Sequence, residues 1–345
     1  MKTVLITGGS GFFGGLLKEK LLDMGVYCVN VDLVKDPFSH VNLSSVQGDI
    51  CNKETLENIF SEHRFDAVFH CAALLAHEVK DEKILWSSNV DGTRNIADYA
   101  KKYSVPKLVY ISSNCLWGRN FDSPVTEEES PAPIELYGRS KLEGEKILLE
   151  YTDSFDVSIF RCPTIMDAGR LGLLAILFEF IDEGRRVWLV GDGSNRYQFI
   201  YAQDLIDACI KAVSHEGSDV YNIGSDNVIT FREMYEYVIK KANTKARLAF
   251  LPKKPALLAM KIAHKLKMSP MGPYQYKMIA SNFVFDTGKI KKELGWAPTL
   301  KNEEMLYKAY EYYHKNLEEI KSRSEVSAHR QPAKMGIIRL LKWIS

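Results

Sequence analysis

From residue 2 to about 162 the chain alternates between short runs of β-branched and aliphatic residues and longer stretches with apolar positions at helical spacing. The short runs Val4–Ile6, Tyr27–Val31, Ala67–His70, Leu108–Ile111 and Val157–Phe160 are predicted strands. Between them, Phe12–Met24, Lys53–His63, Leu85–Tyr103 and Ser140–Tyr151 are predicted helices. Strands that are apolar on both faces and alternate with helices predict an α/β fold with a doubly wound parallel sheet covered on both sides. After residue 163 the alternation breaks down. A helical run at Leu171–Glu183 is followed by a short strand at Val187–Val190 and by helical runs at Asp204–Val213 and Phe231–Lys241. A stretch punctuated by Pro252, Pro255, Pro270 and Pro273 then leads to a last helix at Asn302–Lys321. The expected division is a sheet domain over 1–165, which can regain strands and helices from about 187–223. A smaller C-terminal α/β lobe over 166–321 would carry substrate selectivity, and 322–345 form a basic amphipathic tail.

The bulk numbers narrow the class. With 345 residues, 46% hydrophobic and 26% charged, the chain has the make-up of a globular enzyme, and a net charge of +1 gives no general field for nucleic acid. Six cysteines are scattered without a C-x-x-C pair, and no His cluster has metal-ligand spacing; this points to reduced thiols and no zinc. The first residues lack the regions of a signal peptide, and no run of about 18 apolar residues occurs. The expected location is therefore cytoplasmic.

Candidate chemistry begins at the first strand, which runs into Gly8, Gly11 and Gly14 and then a helix. This pattern makes a tight turn, allows a pyrophosphate to approach the backbone, and presents a helix N-terminus to it. Asp32, at the end of the second strand, can accept hydrogen bonds from an adenosine ribose and would repel a 2′-phosphate, which favours NAD over NADP. The end of a third strand at Gly48-Asp49-Ile50 and the small-residue run Cys71-Ala72-Ala73 suit the adenine and the cofactor backbone. The predicted strand ending at Ile111 leads into Ser112-Ser113-Asn114-Cys115, and Tyr137 and Lys141 follow at a helical i, i+4 spacing. An ammonium beside a tyrosine hydroxyl favours the phenolate, which makes that tyrosine a usable base.

These motifs, with Asn89-Val90-Asp91-Gly92-Thr93, Trp117-Gly118, Gly191-Asp192-Gly193 and Leu294-Gly295-Trp296, resemble the extended short-chain dehydrogenase/reductase family, which includes the nucleotide-sugar epimerases and dehydratases. The resemblance runs to about residue 320. It implies a Rossmann domain that binds NAD through Gly8, Gly11, Phe12, Phe13, Gly14, Asp32, Asp49, Ile50, Cys71, Ala72, Ala73, Asn89, Ser112, Tyr137, Lys141 and Pro163. It also implies hydride transfer at a sugar carbinol, with Tyr137 removing the hydroxyl proton, Lys141 supporting it and Ser113 positioning the substrate. Ser113, Asn114, Thr164 and Arg196 are the implied substrate contacts, Arg196 as a phosphate clamp. The departures matter: Asn114 and Cys115 stand where the sugar 4,6-dehydratases carry an Asp-Glu pair, so that dehydration is not expected. The placement of Cys115 resembles the thiol that exchanges a proton in GDP-fucose synthase and GDP-mannose 3,5-epimerase; its other reading is a buried small hydrophobe.

Three functions follow. The first is an NAD-dependent nucleotide-sugar epimerase or oxidoreductase. The second is a 3β-hydroxysteroid-like or sterol-like alcohol dehydrogenase, because Leu251–Lys267 and the following Pro-Tyr-Gln-Tyr resemble that branch and no second arginine lies near Phe285–Lys289. The third is a non-catalytic NAD-binding sensor or scaffold, against which the intact Ser113–Tyr137–Lys141 set argues. The resemblance implies a homodimer through the helices at Leu85–Tyr103 and Ser140–Tyr151. The tail has two readings, peripheral contact with an anionic membrane surface or packing on the lobe or a neighbouring subunit.

Overall fold

A computed structural model describes residues 1–75, 81–269 and 271–322, together with Gly336 and Lys342 of the tail. The first half alternates as its hydrophobic pattern predicts. It runs through β1 (Thr3–Thr7), α1 (Phe12–Asp23), β2 (Tyr27–Asp32), β3 (Leu43–Gln47), α2 (Lys53–Glu62) and β4 (Ala67–His70). It continues through α3 (Glu82–Trp86), α4 (Gly92–Lys102), β5 (Lys107–Ser113), α5 (Leu136–Leu149) and β6 (Asp156–Cys162). The second half contains β7 (Thr164–Met166), α6 (Leu174–Asp182), β8 (Arg186–Val190), β9 (Phe199–Tyr201), α7 (Ala202–Val213) and β10 (Asp219–Asn222). Then come α8 (Phe231–Ala242), β11 (Arg247–Leu251), α9 (Lys253–Lys265), α10 (Pro273–Met278), α11 (Gly288–Leu294), α12 (Asn302–Lys315) and α13 (Leu317–Ser322).

The main sheet has seven parallel strands in the order β10-β6-β5-β4-β1-β2-β3. Its strand order reverses between β1 and β4, and ligands of such sheets bind in the crevice beyond the strand ends at that point. One face is sealed by Leu17 and Leu21 of α1 with Leu205, Cys209 and Trp296. On the other, Leu56 and Phe60 of α2 and Ile96 of α4 cover Leu5, Val68 and Tyr110. Burial on both faces explains why these strands read as unbroken apolar runs.

Several boundaries differ from the predicted ones for local reasons. α5 begins four residues before the predicted Ser140, so Tyr137 falls in its first turn. The predicted Leu85–Tyr103 helix contains a π-helical turn over Ser87–Asp91. The Pro-punctuated stretch contains two helices, because Pro255 sits in the first turn of α9, where no backbone N–H is needed, and Pro273 begins α10. Of the segment expected to return to the sheet, α7 packs on it and β10 joins it beyond β6, whereas β8 pairs with β11 in a separate ribbon. That ribbon, α6, α8 and α12 share the lobe's own core, centred on Phe178, Leu189, Val238 and Leu306. No helix among the described residues is long and apolar enough to cross a membrane. Most of the tail, and with it the expected membrane contact, lies outside the described residues; Lys342 pairs with Glu179 and Glu183 at the end of α6.

Candidate active site

The turn after β1 is built by backbone constraint. Gly8 has φ +75, and a Cβ there would lie 2.7 Å from the Ala72 nitrogen. A Cβ at Gly14 would lie 2.3 Å from the Gly8 carbonyl oxygen. Only glycines let this turn lie against the Cys71–Ala73 segment while α1 starts immediately beyond it. α1 has no side-chain cap and no acidic residue in its first turn, so its free N–H groups are available to a diphosphate. At the end of β2, Asp32 accepts hydrogen bonds from Ser10 N at 2.9 Å and Val34 N at 3.0 Å. A buried pair of Lys18 and Asp36, joined by Asn30, fixes the backbone behind it. Asp49 and Ile50 continue the same wall.

Asn89 does not line the cleft. The π-helical turn directs its side chain under the cofactor wall, where it accepts from Leu74 N at 2.7 Å and donates to Leu74 O and Ser140 Oγ at 3.0 Å each. It ties the Cys71–Leu75 segment to α5 and is a positioning residue, not the direct contact expected of it. His70 is also internal, bonded to Thr7 and Thr93, and burial lowers its pKa to about 3, so it is neutral.

Ser113, Tyr137 and Lys141 come to one cleft wall at the end of β5. The chain turns tightly through Asn114–Leu116, with Cys115 N donating to Ser113 Oγ at 3.1 Å. The start of α5 presses on this turn, since a Cβ at Gly138 would lie 2.2 Å from the Cys115 carbonyl oxygen. Tyr137 and Lys141, one helical turn apart, therefore share the cleft wall with Ser113. The Lys141 ammonium sits 4.0 Å from the centre of the Tyr110 ring. Burial pushes its pKa down to about 8, while Glu145 pulls it upward. Glu145 is itself held by Arg161 at 2.8 Å and by the Ser112 hydroxyl at 2.5 Å, so the side chain of Ser112 braces this pair.

The remainder of a cleft of about 1210 Å³ extends into the lobe. Its far walls are apolar, with Leu173, Ile176, Phe180, Trp188, Phe231 and Met278 among them. Pro163 and Thr164 stand at the boundary with the cofactor end. Asn114 donates to Tyr197 Oη at 2.7 Å, and that hydroxyl lies 3.3 Å from Tyr274 Oη. Burial pushes the Cys115 thiol up to about 12, so it is neutral at physiological pH.

Arg196 departs from the expectation of a phosphate clamp: it is exposed and outside the cleft lining. The backbone there is extended and pairs with Phe283, so successive side chains point to opposite sides; Arg196 faces solvent and Tyr197 faces the cleft. The arginine that does line the cleft is Arg170, which no sequence signal marked. It lies 5.7 Å from the Phe12 ring centre and within electrostatic reach of Tyr137 and Tyr197. Burial pushes its pKa down to about 10, those two tyrosines opposing. No carboxylate among the described residues pairs with it. Period-two alternation would have found Tyr197; Arg170, in the irregular loop after β7, has no such pattern.

The glycine turn, the small-residue wall and the α1 N-terminus fit a dinucleotide, and the comparisons with known proteins agree. A model of the NAD dependent epimerase/dehydratase family matches residues 4–224. An uncharacterized protein y4nG of Sinorhizobium fredii is 39% identical over 99% of this chain and 86% of its own. The decarboxylating sterol-4-alpha-carboxylate 3-dehydrogenase of Mus musculus is 24% identical over 91% of each chain. Among solved structures, the UDP-glucose 4-epimerase of Thermotoga maritima with UDP-glucose superposes with a TM-score of 0.75 at 24% identity, over 91% of this chain and 99% of the other.

Proposed function

Because the chain belongs to the NAD dependent epimerase/dehydratase family and is an enzyme of the extended short-chain dehydrogenase/reductase type, we propose that it oxidises or reduces a secondary alcohol or ketone on a largely apolar skeleton, with NAD as cofactor. The observation that carries this reading is the lobe's end of the cleft: its walls are mostly apolar, and Arg170 is the one arginine among the described lining residues, where a nucleotide diphosphate would call for a set of cations. Asp32 supports NAD over NADP, because its carboxylate would repel a 2′-phosphate.

Bound NAD supplies the hydride acceptor. Tyr137 takes the proton of the substrate hydroxyl as the hydride leaves the same carbon, so a carbinol becomes a ketone by losing one proton to the tyrosine and one hydride to the cofactor. Lys141, charged below about pH 8, stabilises the phenolate and can hold the nicotinamide ribose. Ser113 holds the substrate oxygen. Its own side chain is fixed by the backbone N–H of Cys115, which limits the geometries from which Tyr137 can be approached.

A second reading, a nucleotide-sugar epimerase, is supported by the likeness to the Thermotoga UDP-glucose 4-epimerase; Arg170 would then be the phosphate-facing cation. The NAD-binding scaffold without turnover loses ground to the shared wall of Ser113, Tyr137 and Lys141. A homodimer through the outer faces of α4 and α5 remains part of the proposal.

The test is NADH formation by the purified full chain with NAD and a panel of hydroxysteroids, sterols and long-chain secondary alcohols, run beside UDP-, GDP-, CDP- and dTDP-sugars. Turnover of an apolar alcohol that is lost in Tyr137→Phe supports the first reading. Interconversion of a nucleotide sugar, with no NADH formed from any apolar alcohol, overturns it.

A further inference from the structure

The lobe carries a feature that the chemistry of the cleft does not use. Between Glu236 and Asp286 the chain has nine lysines and one arginine and no acidic residue, in a protein whose net charge is only +1. The rest of the chain is therefore net negative, and the positive charge is gathered on one segment. At its centre is α9, whose inner face is accounted for: Ala263 is buried, and Met260 and His264 line the cleft. Its outer face is not. Leu258, Ile262 and Leu266 recur at i, i+4 and i+8 across α9 and its C-terminal cap, with 59%, 50% and 63% of their surface exposed, and Met268 extends the row at 48%. Lys254, Lys261 and Lys265 are also exposed, and on a helix of 3.6 residues per turn they form a row along one border of the aliphatic one. Lys267 follows at the end.

A solvent-facing row of three large aliphatic side chains bordered by lysines is the arrangement by which a helix lies in the boundary layer of a bilayer. The apolar row enters among the acyl chains, and the ammonium groups meet headgroup phosphates. A second copy of this chain fits the face poorly, since pairing two such helices would set lysine row near lysine row. The charge calls for a negative partner, and the flat, aliphatic, unpocketed row calls for one without its own fixed shape.

We propose that α9 docks this protein on an anionic lipid surface, with Leu258, Ile262 and Leu266 inserted at the headgroup boundary and Lys254, Lys261, Lys265 and Lys267 against anionic headgroups. The docking face and the cleft then lie on opposite sides of one helix. A ligand leaving the membrane would have only α9 to pass before it meets Met260 and the apolar end of the cleft. The docking surface is separate from the tail and does not depend on which substrate Tyr137 acts on.

The experiment is co-sedimentation of the full chain with phosphatidylcholine vesicles, with and without phosphatidylglycerol, at low and raised salt. Binding to the phosphatidylglycerol vesicles, weakened by salt, is expected. The triple variant Lys254→Gln, Lys261→Gln, Lys265→Gln should bind them about a hundredfold more weakly, roughly fivefold per lysine. Leu258→Glu with Ile262→Glu should lose binding at least tenfold while keeping the rise in melting temperature given by NAD. Because the three lysines are exposed, the lysine variant preserves the test even if the glutamate variant fails to fold. The proposal is overturned if the wild type sediments with neither vesicle, or if the lysine variant binds as well as wild type. A dimer in analytical ultracentrifugation that Leu258→Glu dissociates would overturn it in favour of a second copy.

Discussion

Lys141 is 2% exposed and its nearest carboxylate, Glu145, is already committed to Arg161. Holding an ammonium there in the protein without cofactor must cost stability, and the size of that cost can be worked out. The fall from 10.5 to about 8 corresponds to about 3 kcal/mol at 1.36 kcal/mol per pH unit. Lys141→Met keeps an unbranched stem of similar length and removes the charge, so the variant should be more stable than wild type by about 3 kcal/mol at pH 7. With an unfolding entropy of ~2.1 cal/mol/K per residue, that is a rise in Tm of roughly 4 °C. The pH dependence fixes the cause. Below pH 8 the native and unfolded wild-type chains both carry the proton, and the penalty is constant. Between about 8 and 10.5 the native chain releases its proton first, so wild-type stability climbs relative to the variant as the pH rises, and the gap closes. Turnover should fall by at least a hundredfold in the same variant, because the phenolate of the proposed mechanism loses the cation one helical turn away. Calorimetry or circular-dichroism melts at several pH values between 7 and 10 are the assay. A variant no more stable than wild type at pH 7, or a gap that does not narrow with pH, would refute the argument that burial of this charge is a strain held for function.

Tyr137→Phe should lower kcat by ~10²–10⁴ with NAD affinity unchanged by calorimetric titration, since the ring stays and only the proton acceptor is lost. Gly14→Ala places a Cβ 2.3 Å from the Gly8 carbonyl oxygen, so NAD affinity should drop at least tenfold, read by the loss of the NAD-induced rise in Tm. Asp32→Ser removes the carboxylate that holds Ser10 N and Val34 N; the ratio of NAD to NADP affinity should fall by an order of magnitude or more in fluorescence titrations. Arg170→Met should raise the substrate KM and Arg196→Ala should leave it unchanged, because only the first reaches the cleft; the reverse pattern in steady-state kinetics would restore Arg196 as the clamp.

The cofactor end of the site was legible in the sequence because its determinants are local. Gly8, Gly11 and Gly14 are fixed by a turn of a few residues, and Asp32 by the end of the next strand. Tyr137 and Lys141 were legible as a pair for the same reason, although the start of α5 was placed four residues late: Leu136 and Tyr137 follow a loop with no N-cap side chain to mark the boundary. Asn89 was singled out as a cofactor contact, and its bonds to Leu74 and Ser140 were not legible, because they depend on a π-helical turn that no spacing rule announces. Arg196, expected to clamp a phosphate, lies exposed and outside the cleft lining for a different reason. A one-residue difference in an extended segment exchanges the solvent side for the cleft side, and a motif match alone does not fix that register. The two helices among the prolines were missed because Pro255 reads as a helix breaker unless it is known to fall in a first turn.

The cleft joins two environments with opposite demands, and Ser113, Tyr137 and Lys141 line it alongside both. On the cofactor side, backbone N–H groups and Asp32 provide the polar partners. On the lobe side the walls are apolar, and no carboxylate among the described residues pairs with Arg170. Tyr137 is within electrostatic reach of Arg170 and one helical turn from Lys141, and all three line the cleft. Each of the two cations is held below its usual pKa by burial. On the proposed mechanism, an anion that forms at Tyr137 would be favoured by the Arg170 charge within its reach. On the same mechanism, the apolar lobe walls would strengthen the hold of the neighbouring cations on the tyrosine, and a polar, hydrated lobe would weaken it.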